Sequence, residues 1–95
     1  MENYIRIIDK TKDLYINING KELKAWNAYY HCYTAEYCKI LGLPMLNNKT
    51  YDKYSDKWLS STRCNKIKKP VTEDEYPVAF YRVKNGYIPL FERSV

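Results

Sequence analysis

One histidine and three cysteines are the side chains best suited to nucleophilic or metal chemistry: His31, Cys32, Cys38 and Cys64. Thiolates and imidazole nitrogens serve as nucleophiles, general bases and zinc ligands. On a helix, adjacent side chains such as His31 and Cys32 point about 100° apart, and Cys32 and Cys38 would lie about 240° apart, too far to share an ion. We therefore expect no catalytic residue, no metal and no cofactor, and we interpret the chain as a binding protein, not an enzyme.

Length and composition favour one small domain in a reducing compartment. Ninety-five residues suit a single domain over 1–95, and three cysteines, an odd number, do not suggest a disulfide framework. No apolar run approaches the roughly 18 residues of a membrane span, and the first residues lack the apolar region of a signal peptide. We expect a cytoplasmic location in a host cell and no membrane partner. Asn, Lys, Tyr and Ile make up 39 of the 95 residues, and their AT-rich codons suggest an AT-rich genome, such as that of a Firmicute, its phages or its mobile elements.

The excess positive charge of the chain is confined to one segment. The protein carries a formal net charge of +5. Residues 49–69 contain seven basic and two acidic side chains, whereas the other 74 residues contain nine of each. A spacing of four places Lys49, Lys53 and Lys57 on one face of a predicted helix, where like charges destabilise the isolated helix. An anionic partner would relieve this repulsion.

Aromatic residues are interleaved with these lysines, a pattern typical of proteins that bind phosphates and stack on bases. In the alternative interpretation, the rings face the core and the lysines form a solvated helix face. Only four of the sixteen basic residues are Arg, the side chain that best recognises base edges, so we expect non-specific attraction to an acidic surface. The predicted partner-binding residues are Lys49, Tyr51, Lys53, Tyr54, Lys57, Arg63, Lys66, Lys68, Lys69 and Lys84.

Tyrosine is unusually abundant, with eleven Tyr against two Phe. A buried hydroxyl without a hydrogen-bond partner costs about 1–3 kcal/mol, so several of these rings should lie at the boundary of the core with the oxygen in water. Tyr is also enriched at protein interfaces. Alternatively, codon bias alone raised its number. We expect a stripe that contains Trp26, Tyr30, Tyr33 and Tyr37 to belong to the core.

The first half of the chain predicts a β-hairpin followed by a long helix. Residues 4–9 and 14–18 are rich in β-branched and aromatic residues and predict an N-terminal β-hairpin. Asn19 fits a helix N-cap, and Gly42 fits the C-terminal cap. Apolar residues at alternating spacings of three and four between these caps predict a long amphipathic helix over 20–41.

The second half predicts a short helix followed by another hairpin. Helical spacing of aromatic residues predicts a short second helix over 50–62, and the polar residues 63–76 are expected to be irregular. Asn85-Gly86 between strands at 78–83 and 87–91 predicts a C-terminal β-hairpin. Pro89 would place the last strand at a sheet edge. The fold class is thus predicted to be α+β, in the order ββ-α-α-ββ.

Residues 34–44 (TAEYCKILGLP) resemble the second helix and turn of a helix-turn-helix, with a small residue at Cys38 and Gly42 in the turn. In a winged helix-turn-helix, the resemblance implies that 50–62 would be the recognition helix in the major groove. The hairpin 78–91, with Lys84 at its tip, would be the wing that touches the DNA backbone.

Three functions remain open from the sequence. The first is a non-enzymatic inhibitor of phage or mobile-element type that occludes a host nucleic-acid-handling machine. Its partner would be an acidic protein or nucleoprotein surface, or nucleic acid directly. Small proteins without catalytic motifs include anti-defence proteins such as inhibitors of CRISPR effectors, so this function is anti-CRISPR-like by analogy. The second is a winged helix-turn-helix DNA-binding regulator. The third is a structural subunit whose Tyr-rich face forms a homodimer.

Overall fold

A mixed β-sheet with three short helices forms the protein. The computed structural model describes residues 4–7, 9–72 and 74–93. The elements are Leu14–Ile18 (β1), Lys21–Asn27 (β2), Cys32–Tyr33 (β3), Ala35–Leu41 (α1), Met45–Leu46 (β4), Asn48–Tyr51 (α2), Trp58–Leu59 (β5), Ser61–Lys66 (α3), Ala79–Val83 (β6) and Gly86–Glu92 (β7). The strand order is β1-β2-β3-β7-β6-β4, and β5 also pairs with β7. Only the β4–β6 pair is parallel among these pairings. The predicted ββ-α-α-ββ order is therefore wrong.

The N-terminal hairpin is formed by different partners from those predicted. Residues 14–18 do form a strand, β1, but β1 pairs with β2 and not with residues 4–9, whose described part is not a strand. The turn between β1 and β2 consists of Asn19 and Gly20, with φ angles of 53° and 79°. A two-residue hairpin turn of type I′ requires positive φ at both positions, for which Asn-Gly is the preferred pair. Asn19 is therefore a turn residue and not a helix cap.

The predicted long helix over 20–41 is also wrong, because its apolar stripe is divided between two strands and a short helix. Trp26 lies opposite Tyr33 on the neighbouring strands β2 and β3, with the ring centroids 5.1 Å apart. Only α1 is helical. It starts after Thr34, whose hydroxyl accepts a hydrogen bond from the N–H of Tyr37, and it ends at Gly42 with φ of 73°. The predicted cap at Gly42 is confirmed.

The predicted helix over 50–62 is replaced by four shorter pieces. Helix α2 ends at Tyr51, residues 52–57 form turns, β5 follows, and α3 begins at Ser61. Since α3 extends to Lys66, the segment 63–76 is not irregular throughout. The continuous recognition helix that a winged helix-turn-helix would need over 50–62 is not formed.

The C-terminal hairpin is present as predicted, but its last strand is not at a sheet edge. Strand β7 pairs with β6 on one side and with β3 and β5 on the other. The N–H of Phe80, the residue opposite Pro89, donates to Pro44 and so points away from β7. By the alternation of an antiparallel pair, the nitrogen of Pro89 points away from β6 as well. It faces the gap between the pairing of β3 at Tyr87 and that of β5 at Phe91.

Gly86 lies where β7 packs closely against β3. A Cβ atom added at Gly86 would lie 2.4 Å from both Cys32 Sγ and the carbonyl oxygen of Tyr33. Such distances are far below van der Waals contact, so any larger residue would force the strands apart. Glycine is therefore required at this position for close packing between the two strands.

The largest core cluster holds the N-terminal segment through two buried tyrosines. The cluster contains Ala25, Trp26, Tyr33, Tyr37, Cys38 and Phe80. The hydroxyl of Tyr33 donates to the carbonyl of Ile5 at 2.7 Å, and the N–H of Ile5 donates to the hydroxyl of Tyr37 at 2.7 Å. Burial raises the pKa of both phenols, that of Tyr37 to about 12, so both are neutral at physiological pH. We call this pair of hydrogen bonds the Ile5 clamp.

Replacing Gly86 with Ala should destabilise the protein by about 2–3 kcal/mol, because the added methyl group would overlap Cys32 Sγ and the Tyr33 carbonyl. Urea unfolding followed by tryptophan fluorescence measures this change. Gly42→Ala is the control: it adds a Cβ in open space at positive φ and should cost about 1 kcal/mol. Equal losses in the two variants would contradict the close approach of β3 and β7.

Removing either hydroxyl of the Ile5 clamp should destabilise the protein by about 1–3 kcal/mol, because one polar group of Ile5 would lose its partner. Tyr37→Phe should also accelerate hydrogen exchange at the Ile5 amide, whereas Tyr33→Phe should affect that amide less, since it removes the partner of the carbonyl. The exposed Tyr15→Phe is the control and should leave stability and exchange unchanged. Wild-type exchange at Ile5 in Tyr37→Phe would show that the clamp does not form.

Candidate functional site

A capping box fixes the first turn of the basic segment, residues 49–69. Asn47 Oδ1 accepts hydrogen bonds from the N–H groups of Lys49 and Thr50 at 2.9 and 3.1 Å, and Thr50 Oγ1 accepts from the N–H of Asn47 at 2.9 Å. After α2 the chain continues in turns, so Lys49, Lys53 and Lys57 do not share the face of one helix. The predicted i,i+4 arrangement is therefore wrong, although the lysines remain close along the chain.

The aromatic residues of this segment, Tyr51, Tyr54 and Trp58, pack it against the core. The rings of Tyr54 and Trp58 stack in parallel at 4.2 Å, and the Tyr51 ring packs on that of Tyr81 at 4.9 Å. The hydroxyl of Tyr51 donates to the carbonyl of Trp58 at 2.7 Å, which closes the turn between them. All three residues of the segment are half-buried against a cluster of Leu46, Ala79 and Leu90. Their rings are thus used mainly for internal packing, as in the alternative interpretation of the sequence.

The cationic side chains of the segment are on the outside. We call the following exposed residues the basic surface: Lys49, Lys53, Lys57, Arg63, Lys66, Lys68 and Lys69. Across the described ranges, ion pairs join Lys24 to Asp13 at 3.1 Å and Arg93 to Glu75 at 2.5 Å, and neither pair includes a residue of the basic surface. The Nζ of Lys57 lies 5.6 Å from the centre of the Tyr54 ring. The cationic side chains of the segment are therefore exposed, and these two ion pairs lie outside the basic surface.

Helix α3 buries one cysteine in the core and exposes its basic residues to solvent. Cys64 is buried in a cluster with Leu59 and Phe91, while Arg63 and Lys66 on the same helix are exposed. The guanidinium of Arg63 also lies 3.5 Å from the hydroxyl of Tyr51, which links α3 to α2. Helices α2 and α3 are therefore linked, and together they carry part of the basic surface.

The end of the basic surface is attached to β7 through Arg93. Its guanidinium donates to the carbonyl oxygens of Lys69 and Pro70 at 2.8 and 3.3 Å. It also forms a two-point ion pair with Glu75, at 2.5 and 2.8 Å. These hydrogen bonds hold the pKa of the Glu75 carboxyl below its ordinary value, so the carboxylate stays charged at neutral pH.

Lys84 lies far along β7 from the part of the basic surface that follows β5. It lies in the turn between β6 and β7, whereas β5 pairs with β7 at Phe91 and Glu92. The five residue steps from Gly86 to Phe91 span about 17 Å. Lys84 is therefore exposed and lies at the opposite end of β7 from β5.

The thiols are placed for packing. Cys32, Cys38 and Cys64 are buried, and burial raises the pKa of each, that of Cys38 to about 12. A protonated, inaccessible thiol is a poor nucleophile and a poor metal ligand. Residues 4–7, 9–72 and 74–93 contain no group of three or more His, Cys, Asp or Glu side chains arranged to hold a metal. His31 lies in the loop between β2 and β3, at φ of 55°, and not on a helix.

The prediction that Tyr30 belongs to the core is wrong, because Tyr30 is 47% exposed and forms a pair of exposed tyrosines with Tyr29 at the same loop. Tyr29 is 85% exposed, and its ring meets that of Tyr30 edge-to-face at 4.8 Å. Asn27 Oδ1 accepts hydrogen bonds from both of their N–H groups, which shapes the turn. Asn27 is the local turn signal, but the helical spacing of its neighbours concealed it. The two rings add an exposed aromatic feature outside the basic surface.

Known proteins offer no relative from which a role for the basic surface could be transferred. No family model, no curated protein and no solved structure matches this chain. Within the part of the chain that the structure describes, no helix is long and apolar enough to cross a membrane. The role of the basic surface therefore has to be inferred from its own geometry and charge.

Proposed function

We propose that the protein is a non-catalytic binding protein that engages an anionic surface of a host nucleic-acid-handling machine and inhibits the machine by occlusion. The observation that carries the proposal is the basic surface: the segment that holds the whole net charge of +5 presents its cationic side chains to solvent. An origin in a phage or mobile element and an anti-CRISPR-like role remain part of this proposal, by analogy of size and composition.

The chemistry of the basic surface supports attraction without sequence readout. Six of its seven cationic side chains are Lys, which acts as a mobile point charge and not as a planar two-point donor. The rings of Tyr51 and Tyr54 are packed against the protein, so base stacking would contribute little. Binding energy would come mainly from release of counterions by an anionic partner.

The winged helix-turn-helix alternative lacks its recognition helix. That helix would have to span 50–62, where the chain forms a four-residue helix, turns and a two-residue strand before α3. A helix of one turn cannot span a major groove as that family requires.

Replacing Lys49, Lys53 and Lys57 with Gln should weaken binding to random-sequence duplex DNA, the simplest anionic probe. Binding measured by fluorescence anisotropy between 50 and 200 mM salt gives a slope of log affinity against log salt. That slope should become shallower by about 2–3, because each lost phosphate contact removes roughly 0.9. Lys12, Lys21 and Lys39 changed to Gln are the matched control, since they remove the same charge from exposed positions outside the basic surface.

Equal losses in the two triple variants would mean that net charge, not the basic surface, drives binding. If wild-type protein fails to bind DNA even at 50 mM salt, the same three proteins are immobilised and exposed to a nuclease-treated host lysate. Capture of a nucleic-acid enzyme, with inhibition of its activity, should be lost in the Lys49/Lys53/Lys57 variant and kept in the control. Wild-type inhibition by both variants would contradict the proposed function.

A further inference from the structure

A cavity of about 310 Å³ lies beside β7, in the gap between its pairings with β3 and β5. Ile88, Pro89 and Phe91 line it from β7, and Trp26 and Tyr33 line it from β2 and β3. Because Pro89 has no N–H, this stretch of strand edge has one donor fewer to satisfy. Sites for small molecules typically measure about 300–1,000 Å³ and are lined mostly by apolar and aromatic side chains. The cavity meets both criteria.

The N-terminal segment contributes two cations to the cavity lining. Arg6 and Lys10 belong to a segment that is attached to the rest of the protein at three points. These are the Ile5 clamp, a hydrogen bond from Arg6 Nη1 to the carbonyl of Thr72, and a 3.4 Å hydrogen bond from Trp26 Nε1 to the carbonyl of Lys10. The backbone that carries both cations is therefore held against the sheet.

The charges that line the cavity favour an anion. Glu75 is the carboxylate among its lining residues, and both of its oxygens are already bound by Arg93 at 2.5 and 2.8 Å. The charge of Glu75 is thus balanced by Arg93, whereas no other carboxylate among the described residues that line the cavity balances Arg6 and Lys10. Ser61 and Thr62 also line the cavity, and a hydroxyl group can donate to an anion.

We propose that this cavity binds a small aromatic anion, namely one ring or two fused rings that carry a carboxylate, phosphate or sulfonate group. The rings pack between Trp26, Tyr33 and Phe91, and the anionic group lies at Lys10 and Arg6. The site is distinct from the proposed partner-binding site, because Lys49, Lys53 and Lys57 do not line the cavity. A protein with both sites would bind a small molecule in addition to its anionic partner.

Naphthalenesulfonate and its uncharged analogue naphthalenesulfonamide test this proposal, with calorimetry for affinity and two-dimensional amide NMR spectra for location. The sulfonate should shift the indole N–H of Trp26 and the amides of Ser61 and Thr62. It should bind about tenfold more tightly than the sulfonamide, as expected for about 1.4 kcal/mol from the charge-assisted contacts. Lys10→Gln should remove most of this tenfold preference without changing the affinity for the sulfonamide.

Matched variants distinguish binding in the cavity from general attraction between the sulfonate and a cationic protein. Lys12→Gln makes the same charge change two residues away, outside the cavity lining, and should leave the affinity for the sulfonate unchanged. The Lys49/Lys53/Lys57 variant should also keep full affinity, so that failure of the proposed function would not affect this result. Equal binding of the two probes, equal losses in Lys10→Gln and Lys12→Gln, or shifts confined to the basic surface would overturn the proposal.

Discussion

The fold depends on two tyrosine hydroxyl groups that form the hydrogen bonds which a neighbouring strand would otherwise form. The segment around Ile5 is not paired as a strand, yet it covers the core cluster, and a backbone group buried without a partner costs about as much as a lost hydrogen bond. Tyr33 supplies the donor and Tyr37 the acceptor that the peptide groups of Ile5 need. Since one tyrosine lies on β3 and the other follows on α1, the same two bonds join the sheet, the helix and the N-terminal segment. No buried side-chain nitrogen or oxygen among the described residues lacks a partner.

This constraint explains part of the tyrosine excess and determines the shape of the molecule around it. A phenylalanine at either position would fill the same space but leave Ile5 unsatisfied, so at these two positions Tyr has a structural purpose beyond codon bias. The segment that they hold also forms one side of the cavity beside β7 and carries Arg6 and Lys10. The other charged contribution, Glu75, is fixed by Arg93 from the end of β7. The cavity therefore exists because two chain segments without regular structure are attached to the sheet by specific polar contacts.

The C-terminal hairpin and the end of α1 could be predicted from the sequence because Asn85-Gly86 and Gly42 are strong local signals, although the turn of that hairpin consists of Lys84 and Asn85, and Gly86 is the first residue of β7. Asn19-Gly20 was different, since the same residues fit a helix cap and a type I′ turn. The pairing of Trp26 on β2 with Tyr33 on β3 favours the type I′ turn over the helix cap, and this pairing is a contact between two strands. Helical spacing can arise by coincidence when a short hairpin is followed by a helix. The cationic residues of the basic surface could be identified from composition alone. The cavity could not be predicted from the sequence, because its lining residues come from segments that are distant along the chain.

The arrangement of the basic surface bears on how such a protein can bind. Attraction between exposed charges is screened beyond about 8 Å at physiological ionic strength, so lysines contribute only when they are held near the partner's charges. The capping box at Asn47 and the bond from Tyr51 to Trp58 fix the turns that carry Lys49, Lys53 and Lys57. Fixing the backbone lowers the entropy that association would otherwise cost, while the long side chains adapt to the spacing of the partner's charges. The aromatic rings therefore fix the position of the turns, and the exposed lysines would supply the attraction to an anionic partner.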